Sequence, residues 1–125
     1  MNDVAVRAVR GATSVEEDTS TAILASTAEL LTEVLARNEL VPEDLISMIF
    51  TVTSDLSAEF PAVAAREAGL THVPLLCARE IPVPGSLGMC IRLLLHCNAP
   101  RERVIEHVYL REARRLRPDL AGDAQ

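Results

Sequence analysis

The chain has 125 residues, a length typical of one domain, and 49% of them are hydrophobic, which is enough to form a core. Aromatic residues make up only 2% and the net charge is −6, so the base-stacking side chains and the positive surface of a nucleic-acid-binding protein are both lacking. All 12 cationic residues are arginines, which excludes Schiff-base chemistry on a lysine.

The three cysteines, Cys77, Cys90 and Cys97, predict buried, reduced thiols. They are odd in number, they lack CxxC spacing and they lie in apolar runs, so neither a disulfide framework nor a zinc site is expected. The sequence shows no signal peptide and no apolar run long enough to span a membrane. We therefore expect a cytoplasmic protein.

The first half of the chain predicts a strand, a helix and a second strand. β-type alternation covers residues 4–9 and ends at Arg10 and Gly11. A helix is expected over residues 19–37, capped by Asp18 or a neighbouring Ser or Thr, because its apolar residues form one stripe. Residues 42–44 suit a short helical turn, and residues 46–53 are rich in β-branched and apolar side chains.

The second half predicts one more helix and three more strands. Pro61 suits the first turn of a helix that runs to about residue 68 and is closed by Gly69. Strands are expected over residues 73–78, 91–97 and 107–110, with a proline- and glycine-rich loop before the second of them and a helical turn over residues 111–115. The order β-α-β-α-β-β-β indicates an α+β fold with a mixed sheet and helices packed on one face.

Arg92 is the most informative residue, because it stands inside an apolar strand. A buried cation must be paired, and arginine cannot lose its proton to avoid the cost. The strand is therefore expected to point Arg92 into a lined cavity, toward a carboxylate or an anionic ligand. Glu80, just past the third strand, is a candidate structural partner, although it could also be a solvated loop carboxylate.

Other charged or polar residues stand at strand ends, where a rigid sheet presents side chains to a ligand. Arg10 ends the first strand and Tyr109 lies in the last, while Arg66 lies on the second helix and Arg117 follows the last helical turn. Each also has a structural interpretation: the arginines could be exposed surface residues, and Tyr109 could belong to the core with its hydroxyl at the surface.

Motifs for other kinds of chemistry are missing or weak. The histidines show no metal-ligand spacing, and no Walker or Rossmann loop is present. Gly85-Ser86-Leu87-Gly88 superficially matches the GXXG clamp of KH domains, but its proline flanks and the acidic chain oppose that assignment. What remains is a set of arginines with one carboxylate and one tyrosine. Such a set suits a reaction that needs only binding and electrostatics, on a substrate with two or more carboxylates.

Six motifs, in this order and spacing, resemble the AroH-class (Bacillus-type) chorismate mutases, over residues 9–120. They are Val9-Arg10-Gly11-Ala12-Thr13, Phe60-Pro61-Ala62 with Arg66-Glu67, Val73-Pro74 followed by Cys77 and Glu80, Cys90-Ile91-Arg92, His107-Val108-Tyr109-Leu110, and Leu116-Arg117-Pro118-Asp119-Leu120. The resemblance implies an isomerase that converts chorismate to prephenate in aromatic amino acid biosynthesis, without cofactor or metal. It also implies a homotrimeric pseudo-α/β-barrel with active sites in clefts between adjacent subunits.

The resemblance also implies roles for individual residues. Arg92 would contact the ether oxygen of chorismate, Glu80 and Cys77 the ring hydroxyl, and Arg10 and Tyr109 the side-chain carboxylate. Phe60, Ala62, Val73, Leu75 and Leu116 would line the pocket, with Leu76 beside the substrate, and Arg66 and Arg117 would lie nearer its entrance. In this chain Val63 replaces a common lysine and Leu76 a common threonine, so substrate affinity is expected to differ more than reaction type.

Two other functions remain open from the residues alone. One is a trimeric imine deaminase of the YjgF/RidA type, which has a similar architecture and a carboxylate-binding arginine. The other is a non-catalytic trimeric protein that binds an anionic metabolite in the same cleft. In either case residues 1–125 are expected to form a single domain with a flexible tail at about residues 121–125.

Overall fold

The computed structural model describes residues 3–116, which form one five-stranded sheet with two α-helices and two short 3₁₀ turns. The elements are β1 (Val4–Ser14), α1 (Ser20–Arg37), a 3₁₀ turn (Pro42–Asp44), β2 (Leu45–Val52), α2 (Ala62–Glu67), β3 (Leu75–Arg79), β4 (Cys90–Pro100), β5 (Val108–Tyr109) and a second 3₁₀ turn (Arg111–Arg115). The predicted order of elements is confirmed. Arg117 and the tail predicted at about residues 121–125 lie outside the described residues.

The sheet is mixed, as predicted, with the strand order β3-β2-β4-β1-β5. The central strand β4 pairs antiparallel with β1 on one side and with β2 on the other. The outer pairs, β1 with β5 and β2 with β3, are parallel. Arg92 therefore lies on the middle strand, between Ala12 of β1 and Thr51 of β2.

Some element boundaries differ from the sequence prediction. β1 continues to Ser14, because the residues after Val9 keep pairing with β4 as far as the Ser14–Cys90 pair. The glycine that suggested an end is a point of close approach: a Cβ on Gly11 would lie 3.2 Å from both Leu30 Cδ1 and Val34 Cγ2 of α1. The last strand is shorter than predicted, and α2 ends one residue early, before Gly69 adopts a φ of +93°.

Helix α1 is capped by Thr19, whose hydroxyl accepts a hydrogen bond from the backbone N–H of Ala22 at 3.1 Å. Asp18, the alternative cap, instead accepts from the backbone N–H groups of Ser57 and Ala58 at 3.0 Å each. These hydrogen bonds to the charged form lower the pKa of Asp18. The carboxylate thus ties the start of α1 to the loop after β2.

The main core lies between the helices and one face of the sheet, with Ile23, Leu30, Val34, Phe50 and Leu95 fully buried. Within residues 3–116, the other face of the sheet is covered only at one corner, where Ala113 of the second 3₁₀ turn packs against Ala12, Cys90 and Tyr109. The rest, called here the uncovered face, exposes Val6 (64%) and Leu76 (60%). Within the same residues, no helix has the length and apolarity needed to cross a bilayer. Arg10, Arg92 and Glu80 lie at one end of the uncovered face.

Candidate active site

A cavity of about 330 Å³ opens on the uncovered face of the sheet, and both positively and negatively charged side chains line it, as the sequence predicted. Its wall includes five of the residues selected from the sequence: Arg10, Glu80, Arg92, Tyr109 and Leu116. Apolar side chains, among them Ile49 and Leu94, complete much of the lining. Two guanidinium groups and one carboxylate in such a pocket suit an anionic ligand that also carries a hydroxyl group.

The sheet register determines which side chains meet in this cavity. Arg10 lies opposite Leu94, and Thr51 lies opposite Arg92, so all four side chains are on the same face. Glu80 follows β3, and its backbone N–H donates to Val52 O at 2.9 Å, which keeps the end of β3 in register with β2. The cavity is therefore built mainly on strands, which hold side chains more rigidly than loops do.

Arg92 and Glu80 form an ion pair, with 3.4 Å between Nε and Oε2. The exposed fractions of their side chains are 46% and 22%, so both groups face the open cavity and are not sealed in the core. The same oxygen of Glu80 accepts a short hydrogen bond from the Thr51 hydroxyl. Glu80 is thus a partner of Arg92, as one interpretation of the sequence predicted, and both also border the space that a ligand would occupy.

Arg10 and Tyr109 form the opposite wall, where β5 joins β1. Tyr109 pairs with Ala12, is 5% exposed and packs against the small cluster that also contains Leu116. The backbone N–H of Arg10 donates to Nδ1 of His107, whereas within residues 3–116 the Arg10 guanidinium donates no hydrogen bond. Since no group of residues 3–116 accepts a hydrogen bond from it, this guanidinium is available to an anionic ligand at the cavity wall.

Phe60 and Cys77 line a different cavity, also of about 330 Å³, together with Arg79. Cys77 pairs with the buried Phe50 and so points to the face of the sheet opposite Glu80. Phe60 is 65% exposed. The Arg79 guanidinium is occupied by Thr53 O at 3.0 Å and Leu56 O at 2.7 Å, so its role here is structural.

Of the other predicted site residues, those within residues 3–116 lie apart from both cavities. Ala62 and Val73 are buried in the main core, and Leu75 packs against it. Leu76 and Arg66 are exposed on the surface. Sequence reasoning missed Thr51, because a threonine in a strand of β-branched residues looks like an ordinary strand former. Its alternation with Ile49 on one face is the only sequence signal that could have identified it.

Comparisons with known proteins assign a family to this arrangement. The family model described as chorismate mutase type I matches residues 6–120. The chain is 57% identical over 118 residues to chorismate mutase AroH of Thermus thermophilus, which covers 92% of this chain and 96% of the relative. It is 43% identical over 119 residues to chorismate mutase AroH of Bacillus subtilis, at 93% of each chain.

A solved structure agrees with the sequence relatives. The chorismate mutase from Clostridium thermocellum superposes with a TM-score of 0.83 and 49% sequence identity, over 86% of this chain and 97% of that chain. The mixed sheet with two helices is therefore the fold of a chorismate mutase, and the resemblance drawn from the six motifs is confirmed. This chain belongs to the type I chorismate mutases, the enzymes that convert chorismate to prephenate.

Proposed function

We propose that the chain rearranges chorismate in the cavity between Arg10, Glu80 and Arg92, with Arg92 as the main electrostatic catalyst. The observation that carries this proposal is the position of Arg92, a fixed cation on the central strand that projects into an apolar cavity. Chorismate is a dianion, so the second guanidinium, that of Arg10, gives the cavity the charge that its ligand requires.

The rate enhancement comes from charge that develops during the reaction. In the Claisen rearrangement the C–O bond breaks ahead of full C–C bond formation, so negative charge accumulates on the ether oxygen. A guanidinium group held at that oxygen stabilises the transition state more than the ground state, which raises kcat. Residue Ile49 and its apolar neighbours exclude water and favour a compact substrate conformer.

The other polar groups orient the substrate. Glu80 accepts a hydrogen bond from the ring hydroxyl, and Arg10 with Tyr109 binds the side-chain carboxylate. These roles are supported by the location of all three residues on the wall of one cavity. No covalent intermediate is needed, since the reaction is intramolecular and the protein supplies only orientation and charge.

We further propose that the active enzyme is a homotrimer in which the two cavities of adjacent chains combine into one cleft. The uncovered sheet face with Val6 and Leu76, and the exposed Phe60 ring, are an apolar surface of the kind that subunit interfaces bury. Cys77 and Phe60 of one chain then cover the substrate held by Arg92 of its neighbour. The free cysteines agree with a cytoplasmic location for this assembly.

The activity is tested by the ultraviolet absorbance of chorismate, which the rearrangement removes. Purified protein should remove that signal, and no loss would contradict the proposal. Shared sites are tested by refolding a mixture of two inactive variants, Arg92→Ala and Cys77→Asp. If adjacent chains share each site, about a quarter of the sites in the mixture combine an intact Arg92 with an intact Cys77, and activity returns. If one chain holds the whole site, every site carries a mutation and the mixture stays inactive.

A further inference from the structure

Thr51 makes the closest polar contact to Glu80 in the cavity. Its hydroxyl donates to Oε2 of the carboxylate, across the parallel pair of β2 and β3. Thr51 also borders the cavity and lies opposite Arg92 in the sheet. One threonine therefore lies between the carboxylate and the cation that are proposed to contact the substrate.

Both donors that approach Glu80 use the same oxygen atom. Arg92 Nε lies 3.4 Å from Oε2, which is longer than the roughly 2.7–2.9 Å of a charge-assisted hydrogen bond. Within residues 3–116, the other oxygen, Oε1, accepts no hydrogen bond. An arginine next to a carboxylate commonly forms two parallel hydrogen bonds, and this pair does not.

We propose that Thr51 is a positioning residue for the rearrangement. Its hydroxyl holds the Glu80 carboxylate in an orientation in which the carboxylate cannot form two parallel hydrogen bonds with Arg92. Oε1 then stays available to the ring hydroxyl of the substrate, and the terminal nitrogens of Arg92 stay available to the ether oxygen. The inference rests on the proposed roles of Glu80 and Arg92. Without the hydroxyl, Glu80 would rotate onto Arg92 and neutralise the cation on which the reaction depends.

Replacement by valine isolates this effect, because valine keeps the shape and β-branching of threonine and removes the hydroxyl. We expect Thr51→Val to lower kcat/KM for chorismate by about 10-fold, mostly through kcat, as a misoriented catalytic group does. Thr51→Ser retains the donor and should recover most of the lost activity. Thr32→Val, the same change on the exposed side of α1, is the matched control and should leave the kinetics unchanged.

The decisive measurement repeats Thr51→Val in a Glu80→Ala background. If Thr51 acts through Glu80, the valine changes neither kcat/KM nor the calorimetric affinity for prephenate in that background. An equal loss in both backgrounds would mean that Thr51 only supports packing, and no loss in the wild-type background would overturn the inference. If the wild type and Thr32→Val themselves fail to consume chorismate, the proposed function fails instead.

Discussion

The backbone N–H of Arg10 donates a hydrogen bond to Nδ1 of His107, over a distance of 3.0 Å. The parallel pairing of β1 with β5 begins one residue later, at Gly11 and Val108. A ring nitrogen thus takes the place of a backbone carbonyl at the start of the ladder. Nδ1 can accept this bond only while it carries no proton, so the contact requires one tautomer of the neutral imidazole.

We expect His107→Leu to lower kcat/KM for chorismate by about 10-fold, because Arg10 loses the acceptor that fixes its backbone beside the cavity. His107→Asn supplies an amide oxygen in a similar position and should recover part of the loss. Steady-state kinetics with chorismate measure both effects. Equal activity of the leucine and asparagine variants would mean that the hydrogen bond to Arg10 does not position the guanidinium.

Arg92→Ala should lower kcat by about 1,000-fold, because the developing charge on the ether oxygen loses its fixed counter-charge. Arg92→Lys should restore little, since an ammonium group lacks the planar fork of arginine. The control is Arg101→Ala, which removes an exposed arginine paired with Asp3 and should not affect turnover. Near-normal kcat in a folded Arg92→Ala protein would show that another group stabilises the transition state.

Asn38 should be important for stability, because its buried side chain joins α1 to the segment before β5. It is 1% exposed; Nδ2 donates to Val34 O and to Glu106 O at 2.9 Å each, and Oδ1 accepts from Glu106 N at 2.8 Å. We expect Asn38→Ala to reduce the free energy of unfolding by about 3 kcal/mol, since it leaves backbone groups of Glu106 without partners. Urea denaturation measures the change.

The next residue offers a contrast to Asn38. Glu39 has a φ of +53°, a conformation that glycine adopts without steric cost. Glu39→Gly should therefore lose much less stability than Asn38→Ala in the same urea experiment, or gain some. An equal decrease in the free energy of unfolding of both variants would mean that any substitution at the end of α1 destabilises the protein. The side-chain hydrogen bonds of Asn38 would then not explain its effect.

Alkylation should distinguish the three thiols. Burial raises the pKa of Cys90 to about 11, from its ordinary 9.0, and raises the pKa of Cys97 as well. The half-buried Cys77 borders a cavity and should react first with iodoacetamide at pH 8, as peptide mass mapping would show.

The raised pKa of Cys90 also makes stability depend on pH, because the folded state favours the protonated thiol. The contribution of this thiol to the free energy of unfolding is complete below pH 9 and is lost as the pH rises through about 11.

The element order was predictable because most segments carry a clear period and clear turn residues. The extent of β1 was not, since Gly11 looks like a strand end in the sequence, whereas in the fold it allows α1 to approach the sheet. Pairing with β4 along the whole of β1 overrides the low strand propensity of that glycine. Boundaries that depend on a distant partner strand cannot be derived from the segment itself.

The candidate site was predictable as far as single residues stand out. Arg92 did so because a charged residue inside an apolar strand is unusual, and Arg10, Glu80 and Tyr109 did so because they are polar residues in or next to strands. The motifs of the family then implied specific roles for them. Thr51 did not, because its role depends on which residue of β4 lies opposite, and register is not visible in one strand. The location of Cys77 on the other face of the sheet also follows from register.

The uncovered sheet face has a consequence for how the protein is made. A newly folded single chain would present Val6, Leu76 and the Phe60 ring to water, so it would resemble an association-prone intermediate. In the homotrimer proposed above, folding and assembly would then be coupled reactions. We expect the midpoint of urea unfolding to rise with protein concentration, and dilute refolding to yield unfolded chains instead of stable monomers.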